Sequence, residues 1–91
     1  MKFAVIGLGF ECVLATGESQ TEAMVAYNDK AMDLGEPKLD PNQFKTKVIG
    51  GVIDDSYVYV IPCTEELYAN YSKQDVTFFA LKDGEVKYLG E

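Results

Sequence analysis

Residues 1–12 read MKFAVIGLGFEC, and the fold turns on the segment after the two glycines. Lys2 to Leu8 form an apolar, β-prone run, which reads as a strand. Gly7-Leu8-Gly9 then allows two continuations. In the first, the glycines make a phosphate-cradling turn and a helix begins at once. In the second, Leu8-Gly9 or Gly9-Phe10 makes a tight turn and a second strand, Glu11 to Ala15, runs back along the first. The phosphate pattern, GxGxxG, asks for a third glycine at position 12, where close packing of helix on sheet needs a residue without a side chain. Position 12 is Cys. Val13 and Thr16 are poor helix formers, and Gly17 comes next. The second continuation is therefore expected, with the glycines serving as backbone punctuation.

The next stretch, TGESQTEAMVAYNDKAMDLGEP (16–37), carries the clearest element in the chain. Ser19 is a good N-cap, and Glu22 three residues later completes a capping box. Met24, Tyr27, Ala31 and Leu34 recur at helical spacing and define an apolar stripe. Gly35 stands where a helix ends in the left-handed region, with Pro37 beyond it. A helix from Gln20 to Leu34 is expected, its outer face carrying Glu22, Asp29 and Asp33 with Lys30 among them. Its late start also counts against dinucleotide binding, because the next convincing strand begins only near Thr46, too late for a compact βαβ unit.

EPKLDPNQFK (36–45) reads as a loop, with Phe44 available to plug the core. Thr46 to Ile61, TKVIGGVIDDSYVYVI, is rich in β-branched and aromatic residues and is expected to form two strands. Two turns compete: Gly50-Gly51, or Asp54-Asp55-Ser56. The acidic turn is preferred, leaving Gly50 and Gly51 as a bulge or a point of close packing. Tyr57, Tyr59 and Ile61 then share one face and Val58 and Val60 the other. Both faces are apolar, so a central strand is expected. Pro62 should end it, and Thr64 should cap a short helix, TEELYANYSK (64–73), with Glu65 and Glu66 in its first turn. Leu67 and Tyr71 fall on one face of that helix at i, i+4, with Tyr68 beside them. DVTFFALKDGEVKYLGE (75–91) reads as a hairpin around an Asp83-Gly84 type I′ turn, pairing Leu81 with Val86 and Phe79 with Tyr88, and setting Phe78 opposite Leu89. Strands joined by tight turns predict a single α+β domain over residues 1–91. Its elements run ββαββαββ, an antiparallel sheet of five to six strands with one long and one short helix.

The first ten residues resemble the amino terminus of sugar-nucleotide and related dehydrogenases, a likeness that stops at Cys12. TGESQTEAM (16–24) resembles the helix entry of HicB-type antitoxins, two strands followed by a capped helix, over about fifteen residues.

Composition excludes more than it assigns. Fifteen acidic side chains face eight basic ones, all lysine, for a formal charge of −7. Such a chain repels nucleic-acid phosphates and anionic membranes and is steered toward basic partners. An apolar fraction of 47% is that of a folded domain rather than a disordered one. No apolar run reaches the roughly 18 residues of a membrane span, and the start lacks a signal-peptide pattern, so a cytoplasmic protein is expected. With no His, the usual base near neutral pH is missing, and Cys12 and Cys63 have no imidazole partner for catalysis or zinc binding. Both are expected as buried free thiols. No enzyme activity, cofactor or metal is expected.

The remaining signal is tyrosine, six residues in all. Tyr57, Tyr59, Tyr68 and Tyr71 cluster in sequence with Asp54, Asp55, Glu65 and Glu66. Tyrosine is frequent at interface centres, so these eight are the candidate partner-binding residues, an aromatic patch rimmed by carboxylates. They point to a non-catalytic interaction protein that binds a basic, nucleic-acid-handling protein and inhibits or recruits it. In size, acidity and lack of catalytic side chains the chain is similar in character to the small host-takeover and anti-defence proteins of bacteriophages. Two other readings stay open: a small-ligand domain, with Gly7, Gly9, Gly50 and Gly51 allowing close approach, and a homo-oligomeric structural subunit, including a homodimer, joined through an exposed strand edge.

Overall fold

The computed structural model describes residues 1–7, 10–54 and 56–90. Two strands open the chain, β1 (Lys2–Gly7) and β2 (Phe10–Gly17), paired antiparallel from Phe3↔Gly17 to Gly7↔Phe10. A helix comes directly after them, so the opening glycines do separate two strands. The turn itself, Leu8-Gly9, lies outside the described residues. Gly7 has a more specific role than turn chemistry. Its φ is +138°, and a Cβ there would stand 2.6 Å from the Tyr57 carbonyl oxygen, so glycine is the residue that lets the neighbouring backbone approach.

Helix α1 (Gln20–Asp33) starts where Ser19 predicts: the Ser19 hydroxyl accepts from the Glu22 amide at 3.1 Å. The Glu22 carboxylate reaches back one residue further than a standard capping box, accepting from the Glu18 amide at 3.0 Å. The buried face consists of Ala23 and Ala31, with Met24 and Tyr27 half-buried, and Tyr27 meets Phe44 edge-on at 5.7 Å. Leu34 leaves the expected stripe and is 70% exposed, because the helix ends before it and the chain turns away through Gly35 at φ +77°. Gly17 lies against the first turn of α1, where a Cβ would run into the backbone of Glu22 and Ala23. This glycine sets how closely helix and strand pack.

The middle of the chain departs from the expected hairpin. A 3₁₀ turn (Pro41–Gln43) leads into a two-residue strand, β3 (Phe44–Lys45), which runs parallel to β4 (Val58–Cys63). The described residues between them, 46–54 and 56–57, form a loop, long enough for the crossover that parallel strands require. Neither glycine pair nor acidic turn closes a hairpin. Gly50 and Gly51 both adopt φ +70° at the loop tip with open space where a Cβ would go, so they are not a point of close packing. Asp54 makes a separate turn, its carbonyl accepting from the Tyr57 amide and its carboxylate from the Ser56 amide; Asp55 lies outside the described residues.

The strand β4 is central, as its two apolar faces predict. β1 pairs along its whole length, and its other edge is shared by β3 at the Val58 end and β6 at the Cys63 end. Pro62 does not end it. The Thr64 amide donates to Val86 of β6, and by strand alternation position 62 faces that same edge, in the gap between β3 and β6 where no partner needs a donor. Helix α2 (Glu65–Asn70) comes next, its Thr64 hydroxyl accepting from the Leu67 amide at 3.1 Å. The last hairpin, β5 (Phe79–Lys82) and β6 (Glu85–Tyr88), has the expected register, with Asp83 and Gly84 at φ +57° and +74°.

The domain is therefore α+β with two helices and a mixed six-stranded sheet, ordered β2-β1-β4-β6-β5 with β3 on the flank of β4. The antiparallel expectation fails at β3–β4 and β4–β6, because a long loop and a helix, rather than tight turns, carry the chain between them. The sheet also curls until its ends meet: beyond a register shift in β2, Cys12 faces Phe78 and the Val13 amide donates to Thr77 at 2.8 Å. One face, with Val5, Val58 and Val60, packs on α1. The other, with Ile6, Tyr59, Ile61 and Val86, encloses a core sealed by Leu67 of α2.

Candidate functional site

The expected aromatic patch does not assemble as one surface. Tyr59 is buried in the enclosed core, its hydroxyl accepting from the Asp54 amide at 3.1 Å, where it props the 46–57 loop. Asp54 and Tyr57 sit at the Val58 end of β4, with the Lys45 ammonium 4.5 Å from the Tyr57 ring centre. Glu65, Glu66 and Tyr68 belong to the helix that follows the Cys63 end, and Tyr71 caps that helix, its hydroxyl donating to Leu14 of β2. The whole of β4 stands in the chain between Asp54 and Tyr57 on one side and the two glutamates on the other.

Tyr68 and Tyr71 do belong to a shared feature. They form one wall of an open cleft of about 780 Å³. Val25 and Ala26 contribute its apolar surface above the buried Ala15, and with Glu22, Asp29 and Asp33 of α1 they form the opposite wall. Two hydrogen bonds fix the geometry at the back. Lys30 Nζ and the Tyr71 hydroxyl both donate to the Leu14 carbonyl, at 3.4 and 3.1 Å. Burial raises the Tyr71 phenol above its ordinary range, with the neighbouring Cys12 adding to the effect, so it stays a neutral donor at physiological pH. At the far lip, Lys2 stands 4.6 Å above the Tyr68 ring and pairs with Glu18 at 2.8 Å.

Electrostatically the cleft is one-sided. Glu22, Asp29 and Asp33 are at i, i+7 and i+11, so at 100° per residue they fall within an arc of about 40°. Val25 stands beside them, half-exposed. Among the described residues neither Asp29 nor Asp33 forms an ion pair. Lys30 is turned inward onto Leu14, which leaves Lys73 as the other cation of the lining. Negative potential therefore borders an apolar floor.

Among the described residues no three His, Cys, Asp or Glu side chains converge to hold a metal ion. Cys63 lies within β4 and is buried, and desolvation, with Glu65 and Glu85 adding, pushes its thiol up to about 11. A thiol so raised is a poor nucleophile. With the folded value above the ordinary 9.0, the thiol favours folding fully below about pH 9, and that contribution fades as pH climbs toward 11. At about pH 8 a thiol reagent should label half-buried Cys12 and leave Cys63 unmodified until urea unfolds the chain; fast native labelling of Cys63 would contradict its burial.

A second, shallower hollow of about 400 Å³ lies under the 46–57 loop, lined by Lys45, Lys47, Ile49, Val52, Asp54 and Tyr57 with Tyr59. Among the described residues no helix is long and apolar enough to cross a membrane. The chain matches no family model, no curated protein and no solved structure.

Proposed function

We propose that this protein is a non-catalytic interaction domain whose α1–α2 cleft receives a basic, amphipathic segment of a partner protein and thereby modulates or inhibits that partner. The observation that supports it is the row of Glu22, Asp29 and Asp33 along an apolar floor walled by Tyr68 and Tyr71. Lysine or arginine on one side of a peptide meets the carboxylates, while its apolar side covers Ala26 and Val25. The overall charge of −7 steers such a partner from a distance. A nucleic-acid-handling enzyme presents basic surface of this kind, and the small size and acidity keep the similarity in character to bacteriophage anti-defence proteins.

The test uses a designed helical peptide of lysine and leucine at amphipathic spacing. The double substitution Asp29→Asn with Asp33→Asn should weaken its binding by about tenfold, some 1.4 kcal/mol, and the loss should shrink as salt rises. Neutralising Asp54, Glu65 and Glu66 instead should leave affinity within about twofold. Equal losses from both sets would reduce the effect to net charge and remove the cleft from the account. The volume of the cleft also falls within the range of small-ligand sites, roughly 300–1,000 Å³. Thermal stabilisation by a metabolite, with no peptide binding, would favour that reading instead.

A further inference from the structure

Outside the cleft, the chain carries a segment with the chemistry the cleft would select. Between Phe44 and Ile53 there are two lysines, Lys45 and Lys47, and no acid. Val48 and Ile53 anchor the loop on the enclosed core, while Ile49 and Val52 flank the Gly50-Gly51 tip, 89% and 71% exposed. Exposed aliphatics of this size flanking the turned tip form an apolar point with basic residues on its approach. Asp54, on the return limb, is occupied by its own turn.

We infer that this loop docks in the α1–α2 cleft of a second copy, so that the protein associates head to tail. The inference rests on the proposed role of the cleft. Loop and cleft do not meet within one molecule. No loop residue lines the cleft, whose strand residues belong to β2, whereas the loop runs from β3 into β4, with β1 between β2 and β4. In trans, Ile49 and Val52 cover Ala26 and Val25, and Lys47 approaches Asp29 and Asp33. The contact joins two different surfaces, so each copy keeps one free loop and one free cleft, and growth continues into a ring or a filament. It is small and opposed by the repulsion of two acidic bodies, which places its dissociation constant in the range of about 0.1–1 mM. A basic partner would compete for the same cleft and disperse the assembly.

Sedimentation velocity over a concentration series to about 1 mM should show the wild-type protein growing past the dimer. Two variants break one half each: Ile49→Asp with Val52→Asp in the loop, and Asp29→Lys with Asp33→Lys in the cleft. All four positions are exposed or half-exposed, and circular dichroism checks that both variants fold. Each should sediment as a monomer alone, and an equimolar mixture should form a dimer and nothing larger, since one intact loop and one intact cleft remain. A wild-type protein monomeric throughout, or a mixture that stays monomeric, overturns the inference. The lysine-leucine peptide separates this from the role of the cleft. If the loop variant binds it while the wild-type protein stays monomeric, the cleft reading stands and self-association falls. If the wild-type protein assembles but the loop variant ignores the peptide, the cleft is a self-association site alone.

Discussion

Gly7→Ala is expected to destabilise the protein by about 3–5 kcal/mol, a large part of the ~5–15 kcal/mol available to a domain of this kind. Two costs combine. The φ of +138° is one that an L residue rarely adopts, and the new Cβ would meet the Tyr57 carbonyl at 2.6 Å and the Val58 Cα at 3.2 Å. Both are backbone atoms of the chain entering the central strand, so relief requires β1 and β4 to part at Gly7↔Val58. Gly51→Ala is the control. Its φ is +70° with nothing within 4 Å of the new methyl, so it bears only the left-handed backbone cost, about 1–2 kcal/mol. Urea unfolding of both variants measures the difference. Equal losses would mean that Gly7 serves the turn and not the close approach of Tyr57.

Leu67→Ala should cost about 2–5 kcal/mol. Leu67 is fully buried against the core containing Ile6, Ile61 and Val86, so its loss leaves a cavity within that core. Helix α2 has six residues, too few to persist on their own, and Leu67 is its one buried anchor. The substitution should therefore also loosen Tyr68 and Tyr71 and weaken peptide binding at temperatures where the domain remains folded. Leu34→Ala, at a position 70% exposed, should change stability by less than about 0.5 kcal/mol. A Leu67→Ala loss as small as that would contradict the packing of α2 over the open end of the sheet.

Short-range chemistry decides the parts of the fold that the sequence makes legible. Ser19 with Glu22 sets the start of α1, and Asp83-Gly84 sets the register of the last hairpin, each within a few residues. The missing glycine at position 12 correctly sets the second strand after the first. The path through residues 44–61 depends on partners far away in the chain. Phe44 lies beside Val58 because the curled sheet leaves that edge of β4 open, and no local signal says so. Pro62 misleads for a related reason: whether its missing amide matters depends on which edge it faces.

The candidate site shows the same division. Proximity in sequence groups Tyr57 and Tyr59 with Tyr68 and Tyr71, yet Tyr59 is buried in the core that Tyr68 and Tyr71 pack against, and only Tyr57 stays exposed on its own. Glu22, Asp29 and Asp33 read as the solvated outside of an amphipathic helix, which they are. Their part in a cleft comes from the two small residues beside them, Ala26 and Ala15, which leave the space that Tyr68 and Tyr71 wall off. The available hint was Val25, an apolar residue off the buried stripe on a face otherwise acidic.

Whether the α1–α2 cleft, and not the acidic surface at large, receives a basic amphipathic segment is read by amide chemical-shift mapping of the labelled protein during titration with the lysine-leucine peptide. Shifts concentrated at Ala15, Val25, Ala26, Asp29, Tyr68 and Tyr71 are the predicted result. Shifts centred on Asp54 and Tyr57, shifts spread evenly over all the carboxylates, or none at saturating peptide would contradict binding in the cleft.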